Sequence, residues 1–264
     1  MKKYSVTYII FSTALVVFFT TILLAPLMIT VAKSLQGKGF ANYTQFFSVF
    51  NIIPYFTNSV IISFITVAFI MVFSLLAAFA FSKLQFRLRT PLFLFILCAL
   101  MLPGATVIMP IHNVVSALKL INTRYAIVLP YVALISPMVL LMLKSHMDVI
   151  PGEIMESARI DGCSNFRFLI TIVIPLSKPA ITVSVIWSFL CAWNEFLFAS
   201  ILLQTSKFHT ITLFPIYVEG DKYHLDEPAR FAAYVVCMIP MFVLYLLVHK
   251  HIEKGFIASG SLKG

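Results

Sequence analysis

The chain has 264 residues, 61% of them hydrophobic and 11% charged, where a soluble domain runs at about 45–50% and about 25%. A water-soluble core of this size has no room for so much apolar surface, so the solvent that fits is a lipid bilayer. Lys and Arg total 19 against 10 Asp and Glu, and the excess lies between apolar segments rather than in one basic cluster. That pattern reads as membrane topology and excludes nucleic-acid binding.

A spanning helix needs about 20 mostly apolar residues, and six segments qualify: 8–32, 55–82, 91–112, 125–143, 179–203 and 231–248. Met1-Lys2-Lys3 precede the first. That segment is too long for the apolar core of a signal peptide, about 7–15 residues, and reads as a retained helix. With the N-terminus inside, the inner connections carry 12 Lys and Arg, among them Lys83, Arg87, Arg89 and Lys144, and the outer ones carry 7. Both termini are then expected in the cytoplasm. Pro103, Pro110, Pro130, Pro137 and Pro240 fall inside the expected spans, either as ordinary membrane-helix irregularity or as kinks lining a path. Neither repeat nor linker divides the chain, so one domain, 1–264, is expected: an all-α membrane protein with six transmembrane helices.

The long inner loop, 144–178, differs from the rest. Pro151 suits the first turn of a helix, and Glu153 and Glu156 sit near its positive end. Gly162 then reads as a left-handed terminator, Ser164 or Asn165 as the cap of a second helix, and Pro175 as its stop. Ile154 and Ala158 share a face four residues apart. That apolar edge fits a groove on a soluble partner, or equally a helix lying on the inner leaflet.

The residues Glu156-Ser157-Ala158, Gly162 and Ile172-Val173-Ile174-Pro175 resemble, at every spacing, the EAA signature of ABC importer permeases, with Ser157 for the middle Ala and Ile174 for Leu. Asp161-Gly162 and Leu176-Ser177-Lys178-Pro179 resemble the carbohydrate branch of that family. So do Asn58-Ser59, the run 77–83, Leu120-Ile121-Asn122-Thr123 and Trp193-Asn194-Glu195-Phe196. The end Gly260-Ser261-Leu262-Lys263-Gly264 is similar to the tail of the smaller maltose-permease-type subunit. The resemblance implies a permease in a bacterial or archaeal inner membrane. Its partners would be a cytoplasmic ABC ATPase dimer, a second homologous permease, an extracytoplasmic solute-binding protein, a sugar and membrane lipid. It assigns ATPase coupling to Glu153, Glu156, Ser157, Ala158, Asp161, Gly162 and Pro175. The tail 260–264 either touches the ATPase or is a solvated basic end.

Other classes fit less well. The only Gly-Lys pair, Gly37-Lys38, is followed by Gly39, so no phosphate-cradling G-x-x-x-x-G-K-[ST] is present and the energy is expected from another subunit. Cys98, Cys163, Cys191 and Cys237 are isolated, and the six His lie at span ends or in loops. Neither a metal, a cofactor nor an enzyme activity is therefore expected. An ion-driven carrier needs several ionisable groups within its spans, and only Glu195 qualifies. A single intramembrane charge disfavours an anionic solute such as glycerol phosphate, while 26 Phe, 10 Tyr and 2 Trp suit the aromatic faces that bind sugars. Ser184, Trp187, Cys191 and Glu195 recur at helical steps with Asn194 beside them. Trp187, Cys191, Asn194 and Glu195 are the candidates for the translocation path, the alternative for Glu195 being a structural hydrogen bond to a neighbouring helix.

Overall fold

A computed structural model describes residues 6–219 and 225–260, and all regular structure in them is helical. In chain order the helices are α1 (Val6–Ser34), α2 (Ala41–Val49), α3 (Ile53–Lys83), α4 (Arg89–Cys98), α5 (Gly104–Ala117), α6 (Tyr125–Asp148), α7 (Gly152–Ile160), α8 (Asn165–Phe168), α9 (Ile174–Leu176), α10 (Lys178–Trp193), α11 (Leu197–Leu202), α12 (Phe214–Glu219) and α13 (Glu227–Gly260). Two compact bodies form, one from 1–52 with 214–242 and one from 53–213 with 243–264.

Three helices among the described residues are long and apolar enough to cross a membrane, or up to five spans if each of two bent pairs counts as one. The three correspond to the expected spans 8–32, 55–82 and 125–143. The sixth expected span, 231–248, lies within α13.

The expected third span, 91–112, is not one straight helix: α4 with the turn that follows it and α5 meet at 105°. Pro103 forces its predecessor Leu102 out of the helical region, to φ −86 and ψ 114, as the clash between the proline ring and the preceding residue requires. Gly104 follows and adds no preference for resuming the helix. Pro110, Pro130, Pro137 and Pro240 instead lie inside continuous helices. The expected fifth span, 179–203, also divides. α10 stops at Trp193, Asn194 and Phe196 leave helical geometry, and α11 starts afresh.

In the first body, α1 turns its apolar side chains outward, Phe11, Val16, Leu23 and Met28 each being more than half exposed, as a lipid-facing helix does. At its end the buried Asn42 donates to the carbonyls of Ser34 (2.9 Å) and Gln36 (2.8 Å), holding the turn in which Gly37 and Gly39 take positive φ. Phe46, fully buried, packs its ring against Phe50 and Phe214.

In the second body, α3 and α6 form the centre and α10 packs on α3. The core gathers Ile70, Ala78 and Phe79 of α3, Val139, Leu143 and Met147 of α6, and Phe168, Leu169 and Val173 from the segment leading to α10. Ser63, Thr66 and Ser74 of α3 and Ser184 and Ser188 of α10 are all buried. Such small hydroxyl residues let helix backbones approach closely where lipid supplies no hydrophobic drive.

Candidate functional site

The loop 144–178 begins at the end of α6. Pro151, at φ −56 and ψ 139, stands just before the first residue of α7, where an absent N–H costs nothing. Glu153 occupies the first turn and Arg159 the last, each sign matching the nearer end of the helix dipole. The helix ends on Gly162, at φ +76. The Cys163 N–H donates to the Ala158 carbonyl (2.9 Å) and the Gly162 N–H to that of Arg159 (3.0 Å). This is a Schellman ending, with glycine at the left-handed position. Ser164 then caps α8, its hydroxyl accepting from the Arg167 N–H at 3.3 Å.

Pro175 was expected to end the second helix, and the chain instead accommodates it. The five residues Leu169–Val173 form a π-helical stretch, Pro175 sits in the short α9 behind it, and the sharp break, 82°, falls at Ser177 before α10. A π-turn widens the ladder locally, which suits a segment about to lose one N–H donor to proline.

The expected faces of α7 are exchanged. Met155 and Ala158 are buried at 7% and 8% exposure, with Ile154 packed beside them, in the same core as Leu143, Met147 and Phe168. The Ile154–Ala158 edge is therefore spent on the protein's own interior. Glu153, Glu156, Ser157, Arg159, Asp161 and Ile160, the last 87% exposed, face outward. Met155 was missed, although Met155 and Ala158, three apart, share a helix face just as Ile154 and Ala158 do.

Polar side chains fasten this end of the bundle. Lys83 Nζ donates to the Ile150 carbonyl at 2.6 Å, tying the end of α3 to the turn before α7. Arg89 donates to the carbonyls of Phe81 (2.7 Å) and Ser82 (3.1 Å), which α3 leaves open at its C-terminus. Lys144 pairs with Asp148 at 2.6 Å and lies over the Phe93 ring.

At the opposite end of α3 and α6, the remaining motif segments meet. Asn58 Nδ2 donates to the carbonyls of Lys207 (2.9 Å) and His209 (3.1 Å), while its Oδ1 accepts from Arg124 (3.1 Å). The Ser59 hydroxyl accepts from the Ile211 N–H at 2.8 Å. Asn122 adopts φ +62, a conformation asparagine tolerates better than most residues. Its Oδ1 accepts from the N–H groups of Gln204 (2.6 Å) and Thr205 (2.9 Å), and its own N–H donates to Leu202. Segment 203–211 is thus clamped by three side chains from two places in the sequence, 58–59 and 122. His209, 1% exposed, belongs to this clamp, and burial pushes its imidazole below the ordinary value of 6.5.

Of the path candidates, Trp187 is 45% exposed on α10, Cys191 is half-buried, and Asn194 is exposed and donates back to the Leu190 carbonyl (2.9 Å). Glu195 lies past the end of α10 and does not continue the stripe. It is 3% exposed, and its carboxylate accepts from the N–H groups of Phe198 (2.6 Å) and Ala199 (2.8 Å) at the start of α11, while the Thr212 hydroxyl donates to its backbone carbonyl. Gly260 closes α13, and the rest of the expected tail, 261–264, lies outside the described residues.

Comparison with known proteins fits this arrangement. Residues 2–258 match the family described as binding-protein-dependent transport system inner membrane component, and the chain belongs to that family of membrane-embedded permease subunits. It is 37% identical to a putative ABC transporter permease of Caldicellulosiruptor sp. (81% of this chain, 77% of the relative) and 32% identical to the trehalose/maltose transport system permease protein MalG of Thermococcus litoralis (80% and 75%). Its fold is similar, with a TM-score of 0.81 at 19% identity, to a chain in the crystal structure of a bacterial ABC transporter that imports the acidic polysaccharide alginate (95% of this chain, 99% of that one).

Two outcomes follow from the clamp. Glu195→Ala leaves two N–H groups of α11 without their acceptor and is expected to lower unfolding stability by about 1–3 kcal/mol, with Glu195→Gln costing less and solute preference unchanged. A changed preference with unchanged stability would instead put Glu195 on the path. For His209 the folded value lies below the unfolded one, so the folded state binds fewer protons and the contribution is complete above about pH 6.5 and lost as pH falls below it. Amide-exchange protection factors in 203–211, corrected for the intrinsic pH dependence of exchange, should fall on acidification below pH 6.5, and that acid-dependent fall should vanish in His209→Gln.

Proposed function

We propose that this chain is one of two homologous permease subunits lining the pore of a binding-protein-dependent ABC importer, and that its solute is a sugar. The solute assignment rests on relatives such as the trehalose/maltose permease. A separate ATPase dimer on the cytoplasmic side supplies the energy, and an extracytoplasmic binding protein delivers the solute. The six spans are α1, α3, the bent pair α4–α5, α6, α10 and α13, with both termini and the loop 144–178 in the cytoplasm.

In this reading α7 is the coupling helix. Glu153, Glu156 and Ser157 on its outward face, with Asp161 at its end, meet the ATPase, while Ala158, Gly162 and Pro175 hold the helix and the segment behind it. The observation that carries the reading is the shared core: Met155 and Ala158 of α7 are buried with Leu143 and Met147 of α6 and Phe79 of α3. When ATP draws the two ATPase subunits together, α7 cannot move without α6, and α6 cannot move without α3. Rocking of these spans is then the two-state element that opens the path alternately to either side.

Substitutions at two coupling positions test this. A Cβ at Gly162 would meet nothing within 4 Å, so Gly162→Val adds only backbone strain, of order 1–3 kcal/mol, and leaves the subunit folded. Glu156 is exposed, and Glu156→Lys reverses its charge without disturbing the core. Both are expected to cut solute-stimulated ATP hydrolysis and transport by about 5- to 150-fold, the range of ordinary coupling energies, in a complex that still inserts. Wild-type stimulation in both variants would reject the coupling role. Orientation has its own check: a cysteine replacing Arg87 should resist impermeant thiol reagents applied outside intact cells and react in inverted vesicles, and the opposite pattern would invert the topology.

A further inference from the structure

An open cleft of about 440 Å³ lies where α3 turns into α4, lined by Arg87, Arg89 and Thr90, by the rings of Phe86 and Phe93, and by Lys144 from α6. No carboxylate lines it. Asp148 takes Lys144 at 2.6 Å, so the uncompensated charge belongs to the two arginines. Arg87 is exposed and makes neither ion pair nor hydrogen bond among the described residues. Arg89 spends only its Nε and one Nη2 proton on the carbonyls of Phe81 and Ser82, which locks the guanidinium in place with its other N–H groups available. A fixed planar fork beside a second, free arginine is the donor set that takes the oxygens of a phosphate ester, for which arginine geometry is suited.

The surroundings say which phosphate. Leu88, between the two arginines, begins an apolar exposed strip that Leu92 and Phe95 continue at helical steps along α4, the last 76% exposed. A soluble anion or a water-facing protein surface has no use for such a strip, whereas two acyl chains do. We infer that the cleft at the α3–α4 turn binds a phosphate-bearing anion, the headgroup of an anionic phospholipid, whose chains lie along α4. Basic pockets at the cytoplasmic ends of spans are suited to such headgroups. The inference rests on the chain's place in a membrane and not on its solute or its ATPase.

The test uses the full chain in a neutral detergent, titrated with short-chain phosphatidylglycerol, phosphatidylcholine or inorganic phosphate, with bound adducts counted by native mass spectrometry. Phosphatidylglycerol is expected to bind more tightly than phosphatidylcholine, and Arg87→Gln, which breaks no internal bond, to weaken it about fivefold, the effect of one basic residue at an anionic surface, while phosphatidylcholine is unchanged. Equal binding of the two lipids, insensitive to Arg87→Gln, would overturn the proposal. Binding of inorganic phosphate as tight as that of phosphatidylglycerol would keep the anion site and overturn its lipid occupant. Loss of ATPase association in Arg87→Gln with lipid binding unaltered would overturn it in favour of a protein interface.

Discussion

A peptide group in hydrocarbon has no water to bond, so each N–H and C=O must be paired within the protein. This constraint explains where the chain places its few polar side chains. Along an intact helix the ladder satisfies itself; at several places where a helix stops, a side chain takes over. Arg89 covers the last carbonyls of α3, Glu195 the first N–H groups of α11, Asn122 the two N–H groups that follow α11, Asn58 two carbonyls of the next turn, and Asn42 the carbonyls after α1. In a chain with only 11% charged residues, polarity is concentrated at breaks in the backbone.

The two ends of the central helix pair solve different problems with this device. At the Asp148 end of α6, Lys83 holds the turn before α7 while Arg89 closes the end of α3, and the acidic face of α7 is left free. At the Tyr125 end, the links close a segment down. Asn58, Ser59 and Asn122 are each committed to backbone partners between 202 and 211, which fixes that segment to α3 and to the start of α6.

Much of this was legible in the sequence because the signals are local. Pro151, Gly162 and Ser164 each act on the backbone within a few residues, so the short helix, its glycine ending and the second cap could be read in order. The long spans of α3 and α6 follow from length and apolarity alone. The breaks were not legible. Pro103 looks no different from Pro110 or Pro137, and what separates them is whether the following residue and the packing neighbours let the helix continue. The orientation of α7 was equally hidden, because Ile154 and Met155 are both apolar and only the positions of Met147 and Phe168 decide which turns inward. Glu195 was found as an unusual charge, but its partners, the N–H groups of Phe198 and Ala199, exist only because α10 stops where it does.

The burial of α7 on two residues one turn apart has a mechanical consequence. A nine-residue strut pinned at Met155 and Ala158 cannot roll about its own axis, so a load on its outer face passes into α6 as tilt. With 24 residues, α6 is a lever about 36 Å long. A tilt of about 5° about one end displaces the other by about 3 Å over that length, roughly the reach of one hydrogen bond. The far end of this lever begins at Tyr125, next to Arg124 with its bond to Asn58, so the displacement arrives at the first link of the clamp that holds 203–211.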